Sequence, residues 1–271
     1  MKLNTKFNLA QAYNRPSTVV VVASYPGKSN RSIKDIDAVA SYTDHFADSY
    51  QKELAKSGKK LIIIAQKNGN EDWYEEKGML ICRVWDKGSP FCFVQIIFAL
   101  LYFKAITSIL VQFEFHQFGG NLTTLLFPFF LFILKAAGKV TTLVMHQVVP
   151  DITDLAGHLN ITPHTIRAFI FNTLLIWFYK IVSTVPDSII VHNEILKQRF
   201  AKLTGRTDSI VIPHGLGAIK NRYKKEEARK LLGFKQKDTI IMSFGFLTWY
   251  KGADWLVREW SRMSKPKHWH L

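Results

Sequence analysis

Residues 17–27 read Ser-Thr-Val-Val-Val-Val-Ala-Ser-Tyr-Pro-Gly. The run from 18 to 24 is β-branched and shows no alternation with polar residues, which is the pattern of a strand buried on both faces. Tyr25-Pro26-Gly27 then supplies turn chemistry at its end. Working outward, Val39, Tyr42, Phe46, Tyr50 and Leu54 recur at helical spacing over 37–57, and Ser57-Gly58 closes that helix. Residues 61–65, Leu-Ile-Ile-Ile-Ala, form a second apolar strand. A strand, a helix and a strand of this kind make a parallel β/α/β unit.

The same alternation continues. A strand is expected over 79–85, preceded by an acidic turn at 71–76, then a helix over 91–104 and a strand over 108–113. A helix over 122–134, a strand over 140–145 and a long aromatic helix over 165–182 follow. A strand over 188–191, a helix over 194–203 and a strand over 209–212 complete the series. The expected class is α/β, a Rossmann-like parallel sheet with flanking helices. After Pro213-His214-Gly215 the texture turns polar and basic, with one short helix over 224–232. A new strand over 239–244, a helix over 251–263 and a further strand over 268–271 begin a second Rossmann-like unit. Three segments are therefore expected: an N-terminal domain 1–215, a hinge or linker 216–238, and the first β/α unit of an incomplete second domain over 239–271.

The 271 residues carry 36 Lys+Arg against 21 Asp+Glu, a formal net charge of +15. Hydrophobic residues make up 48%, which excludes whole-chain disorder. Two cysteines, Cys82 and Cys92, exclude a disulfide scaffold and suit a reducing compartment. The first 22 residues lack the apolar core of a secretory leader, and a cytoplasmic location is expected. Residues 197–237 hold 12 Lys or Arg against Asp208, Glu226 and Glu227, a surface suited to phosphates, anionic headgroups or nucleic acid. No helix-turn-helix, zinc spacing or RNA-binding aromatic signature accompanies it. The segments 91–106, 122–138 and 166–182 are unusually apolar, yet a Lys or polar residue interrupts each well short of the ~18–20 residues that cross a bilayer. They read as core helices flanking the sheet or as interfacial helices that attach the protein to the inner face of a membrane.

Four constellations could carry chemistry. In SFGFLTWYKGADWL (243–256) a strand ends at Gly245 and Lys251-Gly252 opens a helix, whose free N–H groups and added cation suit a diphosphate. In IVIPHG (210–215) an apolar strand delivers His214 and a permissive Gly215 to the domain border. In VMHQVVPDITDLAGH (144–158) a strand delivers His146 at its carboxyl end, with Gln147, Asp151, Asp154 and His158 following. The spacing of these His and Asp residues fits no metal motif, so no metal is expected. In VQFEFHQFGGN (111–121) Glu114 and His116 sit at a strand end before Gly119-Gly120.

In this order, the segments resemble the GT-B glycosyltransferases of family 4. VQFEFHQFGG is similar to that family's Q-x-E-x-x-x-F-G-G segment, and TTLVMHQVV to its strand ending in a single His. IVIPHG resembles its I-P-H/N-G hinge strand, and IIMSFGFLTWYKGADWLV its G-R-L-x-x-x-K-G-x-D-x-L. The resemblance implies a retaining transfer from a nucleotide-sugar donor to a sugar or lipid-linked acceptor, with no metal or other cofactor. It places His146 over the reacting sugar as the catalytic residue. Lys251, Gly245, Gly252 and Gly27 would contact donor phosphates, and Asp37, Glu114, Gln147, Asp151, His158 and His214 would line the acceptor cleft. Three departures stand out. The family's Arg partner of the Lys is Phe246 here, its Gly at the start of the first helix is Asp37-Ala38, and its E-x7-E motif would lie past residue 271. On this reading the 271 residues alone are inactive for want of a donor domain. The alternative is a catalytically inactive GT-B-like binding module at a membrane, and the weaker alternative is a nucleic-acid-binding protein.

Overall fold

A computed structural model describes residues 3–27, 38–69, 72–155, 162, 164–215, 223–245 and 252–271. The chain divides into two compact units, 1–216 and 217–271. The first opens with α1 (Leu3–Tyr13), β1 (Val19–Val22), α2 (Ala38–Lys56), β2 (Leu61–Gln66), β3 (Trp73–Glu76) and β4 (Met79–Trp85). It continues with α3 (Cys92–Leu100), β5 (Ser108–Phe113), α4 (Asn121–Ala136), β6 (Val140–Met145) and α5 (Ile166–Thr184). β7 (Ser188–Val191), α6 (Glu194–Thr204) and β8 (Ile210–Val211) close it.

These strands form an eight-stranded sheet in the order β3-β4-β2-β1-β5-β6-β7-β8. Every pairing is parallel except β3 with β4. The expected acidic turn at 71–76 is therefore corrected: Trp73–Glu76 is an antiparallel edge strand. Its sequence, two aromatics then two acids with only Trp73 buried, suits a strand with only one neighbour. β1, quoted at the outset, is the centre of the sheet, with Val19 in register with Leu61 on one side and Ser108 on the other. Chain order runs outward from it on the β5 side, and on the other side as far as the β3–β4 hairpin, so the switch point lies between β1 and β5.

The two sheet faces are covered unequally. α2 buries Val39, Ala40, Thr43, Ala47 and Leu54, one helical face, and a smaller core there gathers Ala47 and Leu54 against Val21, Ile63 and Ile81. The larger core joins α1, α3, α4, α5 and α6 to the other face, with Phe93 stacked on Phe130 at 5.0 Å and Phe113 against Phe127 at 4.4 Å. Helix ends follow their local chemistry. The Thr165 side chain accepts from Ala168 N at the start of α5, and Asn193 accepts from Leu196 N at the start of α6. Gly205, at φ +82°, ends α6. Gly119 has φ +144°, and a Cβ there would stand 2.5 Å from Gly88 Cα, so only glycine fits before α4.

The second unit holds α7 (Lys225–Leu231), β9 (Thr239–Ile240), α8 (Ala253–Arg262) and β10 (Trp269–His270). β9 and β10 pair in parallel. The strand expected over 239–244 is shorter than that, because only Thr239 and Ile240 find ladder partners.

Candidate functional site

Parallel sheets present ligand sites at the carboxyl ends of their strands, near the switch point. Here that edge carries a polar cluster. β5 ends near Gln112, β6 delivers His146, β7 delivers His192, and β8 leads to His214. Thr43 and Tyr42 reach the same place from α2. Gln112, Thr43 and His192 are buried, and His146 is mostly so, while His214 is exposed.

A hydrogen-bond chain runs through these groups. His192 Nδ1 lies 3.0 Å from the Ile212 carbonyl, and His192 Nε2 lies 3.2 Å from His146 Nδ1. His146 Nε2 is 3.1 Å from Gln112 Oε1, which is 3.0 Å from Thr43 Oγ1. Thr43 in turn donates to the Val39 carbonyl at 2.7 Å. A carbonyl only accepts, so His192 Nδ1 carries a hydrogen. A neutral His192 then offers a lone pair at Nε2, and His146 Nδ1 must donate to it. That leaves His146 Nε2 as an acceptor, which only the Gln112 amide nitrogen can satisfy. In the structure the amide oxygen faces the ring and the buried nitrogen has no hydrogen-bond partner; turning the amide over gives that nitrogen to the ring. The network therefore sets the amide orientation.

Burial and electrostatics agree with neutral rings. Burial, helped by His192 and His214 nearby, pushes His146 down to about 3. Burial lowers His192 as well, against its bond to Ile212, and lowers His214 together with repulsion from His192. The Tyr42 ring contacts all three imidazoles edge-on, with centroids 4.7, 5.3 and 5.0 Å from His146, His192 and His214. His192 and His214 stack at 3.7 Å.

Among the described residues these three histidines are the group able to hold a metal ion, with ligand atoms within 4.8 Å of one another. The sequence reading, which looked for spacing within one segment, did not bring them together. The stacked planes of His192 and His214, 26° apart, send their in-plane lone pairs side by side rather than toward one point. A shared ion would require His214 to turn.

The other expected site residues fall as follows. Gly27 follows Tyr25 and Pro26, which a buried guanidinium ties down: Arg83 donates to the Tyr25 and Pro26 carbonyls and to Tyr74 Oη at 3.0 Å. The Gln66 amide adds paired bonds to Tyr25, accepting from N at 3.0 Å and donating to O at 3.1 Å. Gln147 and Glu114 are half-buried at the same strand-end edge. Asp151 holds a turn together. Its carboxylate accepts from Thr153 N, Thr153 Oγ1 and Asn172 Nδ2, which fixes the short 3₁₀ turn Ile152–Leu155 against α5 and holds the carboxyl below its usual range. In the second unit, Gly245 at φ +123° and Gly252 at φ +71° both adopt glycine-favouring backbone, the latter as N-cap of α8. Asp37, His158, Phe246 and Lys251 lie outside the described residues.

Gln112, His192, Thr43 and Arg83 were missed by sequence reasoning. The usable signal was positional: Gln112, His192 and Arg83 are polar residues inside or just after β-branched strands, where burial is expected.

In comparisons with known proteins, the sequence matches no family model and no curated protein. Among solved structures it is similar to a segment of a sucrose-phosphate synthase from Thermosynechococcus elongatus. The two are 9% identical, the match covers 80% of this chain and 94% of that one, and the TM-score is 0.43.

Proposed function

We propose that the protein is a glycosyltransferase that moves a sugar from a nucleotide-sugar donor to a sugar or lipid-linked acceptor with retention of configuration. The observation that carries this reading is the cluster of Thr43, Gln112, His146 and His192 at the carboxyl ends of β5–β7, beside the switch point. Its support in the sequence is the ordered resemblance of four segments between residues 111 and 257 to GT-B enzymes of family 4.

In this reading His146 forms the floor under the reacting sugar, and its neighbours lock the ring so that no reorientation is needed during reaction. Because burial keeps it neutral, it adds no fixed charge that would compete with the donor phosphates. Lys251, which precedes Gly252 in the sequence, neutralises the diphosphate as it leaves. The transfer needs no metal. The second reading, a GT-B-like binding module without catalysis, is favoured by Phe246 in the place of the family's Arg.

The test is glycosyl transfer measured with a panel of nucleotide sugars in a protein containing these 271 residues. His146→Asn is expected to lower kcat by about 100-fold or more. Lys251→Ala raises donor KM or lowers kcat, whereas Lys230→Ala does neither. EDTA leaves the rate unchanged. Donor binding without turnover in the unmodified protein would favour the binding module, and a near-normal rate in His146→Asn would refute the catalytic role.

A further inference from the structure

α3, α4 and α5 lie side by side on one face of the sheet, α3 packed on α4 and α4 on α5. Their inner sides are core: Phe93 and Ile96 from α3, Phe127 and Leu131 from α4, Phe178 and Val182 from α5. Amphipathic helices in a water-soluble layer carry polar residues on the opposite side. These three do not. The α3 segment and the 3₁₀ turn after it expose Phe91, Val94, Phe98, Leu101 and Tyr102. α4 exposes Leu122, Leu125, Phe129, Phe132 and Ile133. α5 exposes Ile166, Phe169, Ile170, Leu174, Trp177 and Ile181. Within each helix these residues recur at intervals of three and four, so each presents a second apolar stripe outward. Monomeric soluble proteins seldom leave such contiguous apolar surface open.

The charge pattern identifies what covers it. None of the three helices contains an acidic residue, and their cations stand near the ends: Lys104 just after the 3₁₀ turn, Lys135 in the last turn of α4, Arg167 and Lys180 on α5. Arg167 and Lys180 lie over the rings of Phe171 and Trp177, at 5.8 and 5.5 Å. This is apolar surface edged by cations that can reach a headgroup layer. A second copy would set cation against cation with no carboxylate from these helices between them. α5 is the one helix among the described residues long and apolar enough to cross a membrane by length and composition. Its inner side, however, is fastened to the fold: Tyr179 Oη accepts from Val149 N at 2.8 Å, and Asn172 bonds Asp151 and Ile152. It therefore lies along a surface rather than through it. Between α4 and α5 a cavity of about 170 Å³ adds an apolar slot, lined by Phe115, Leu125, Phe171, Leu174 and Phe178, with Arg167 also at its wall.

We propose that the outward face of α3, α4 and α5 docks on an anionic lipid bilayer, with the stripes in the acyl boundary and Lys104, Arg167 and Lys180 at the phosphates. The inference does not depend on glycosyl transfer. Co-sedimentation with phosphatidylcholine vesicles, with and without one-third phosphatidylglycerol, tests it. The unmodified protein is expected to bind the anionic vesicles at least 10-fold more strongly than the neutral ones. Phe129→Glu with Trp177→Glu, both at exposed sites, is expected to cut that binding at least 10-fold, while Leu231→Glu in α7 leaves it intact. Thermal melts of each variant confirm that the fold survives. Absence of vesicle binding, or equal binding by the double variant, overturns the proposal. So does a lipid-free dimer that the double variant dissociates, since that would make a second copy the occupant.

Discussion

With the Gln112 amide turned nitrogen-first, His146 donates to His192 and accepts from Gln112, so adding a proton to it breaks the acceptor half of that pairing. The free energy of this follows from linkage. His146 titrates near 3 in the fold and at its ordinary 6.5 when unfolded, so the unfolded chain binds the proton first. Stability from this residue is therefore intact above pH 6.5 and is lost as pH falls from there toward 3. The loss reaches about 2 kcal/mol by pH 5, before most carboxylates titrate. Urea unfolding between pH 7 and 5 is expected to show this slope, and His146→Asn to flatten it. Gln112→Leu removes the donor to His146 and is expected to cost about 1–3 kcal/mol at pH 7. Of this site, only the strand-end histidines His146 and His214 were legible. His192 was hidden because the following Asn193 made it look like an ordinary strand-to-helix junction. Tyr42 fitted the helical apolar spacing so well that it read as core, although half of it faces the three imidazoles. Residue type marks what a group can do, but only the sheet brings residues 42, 112, 146, 192 and 214 to one edge.

At the level of elements, the buried strands were readable because unbroken Val/Ile runs have few other homes. β3 was not, since Trp-Tyr-Glu-Glu carries its charges on an edge where one side meets solvent. Arg83 illustrates a different limit. Its place in β4 was readable, but its work is done on another loop, where it holds the Tyr25 and Pro26 carbonyls. The apolar helices were equally plain, and equally mute about direction, because a helix greasy on both sides looks the same from either. The junction before α4 offers a sharp test. Gly119→Ala forces a Cβ to within 2.5 Å of the Gly88 backbone at a positive φ, and should cost about 2 kcal/mol or more. Gly120→Ala meets nothing within 4 Å and should change the melting temperature by little. Equal effects would mean that residues 88 and 119 do not pack together.

Across the whole molecule, every buried hydrophobic residue among those described lies between Ala10 and Phe200. The second unit buries none and leaves an open apolar hollow of about 600 Å³ between its helices and β9, lined in part by Leu232, Phe234, Ile241 and Leu256. Residues 1–216 alone are accordingly expected to unfold cooperatively with nearly the midpoint of the 271-residue chain, and residues 217–271 alone to give no cooperative transition; circular dichroism on the two pieces checks both. The placement of β1 also has a cost in time. Val19–Val22 is made before both of its neighbours, residues 61–64 and 108–111. At ribosomal speeds of roughly 5–20 residues per second, the second neighbour follows several seconds after the first strand. Throughout that interval a bare tetravaline strand must stay out of sheets formed with other nascent chains. Slower synthesis at low temperature lengthens the wait, so holdase chaperones that bind short apolar segments should raise soluble yield more than cooling does.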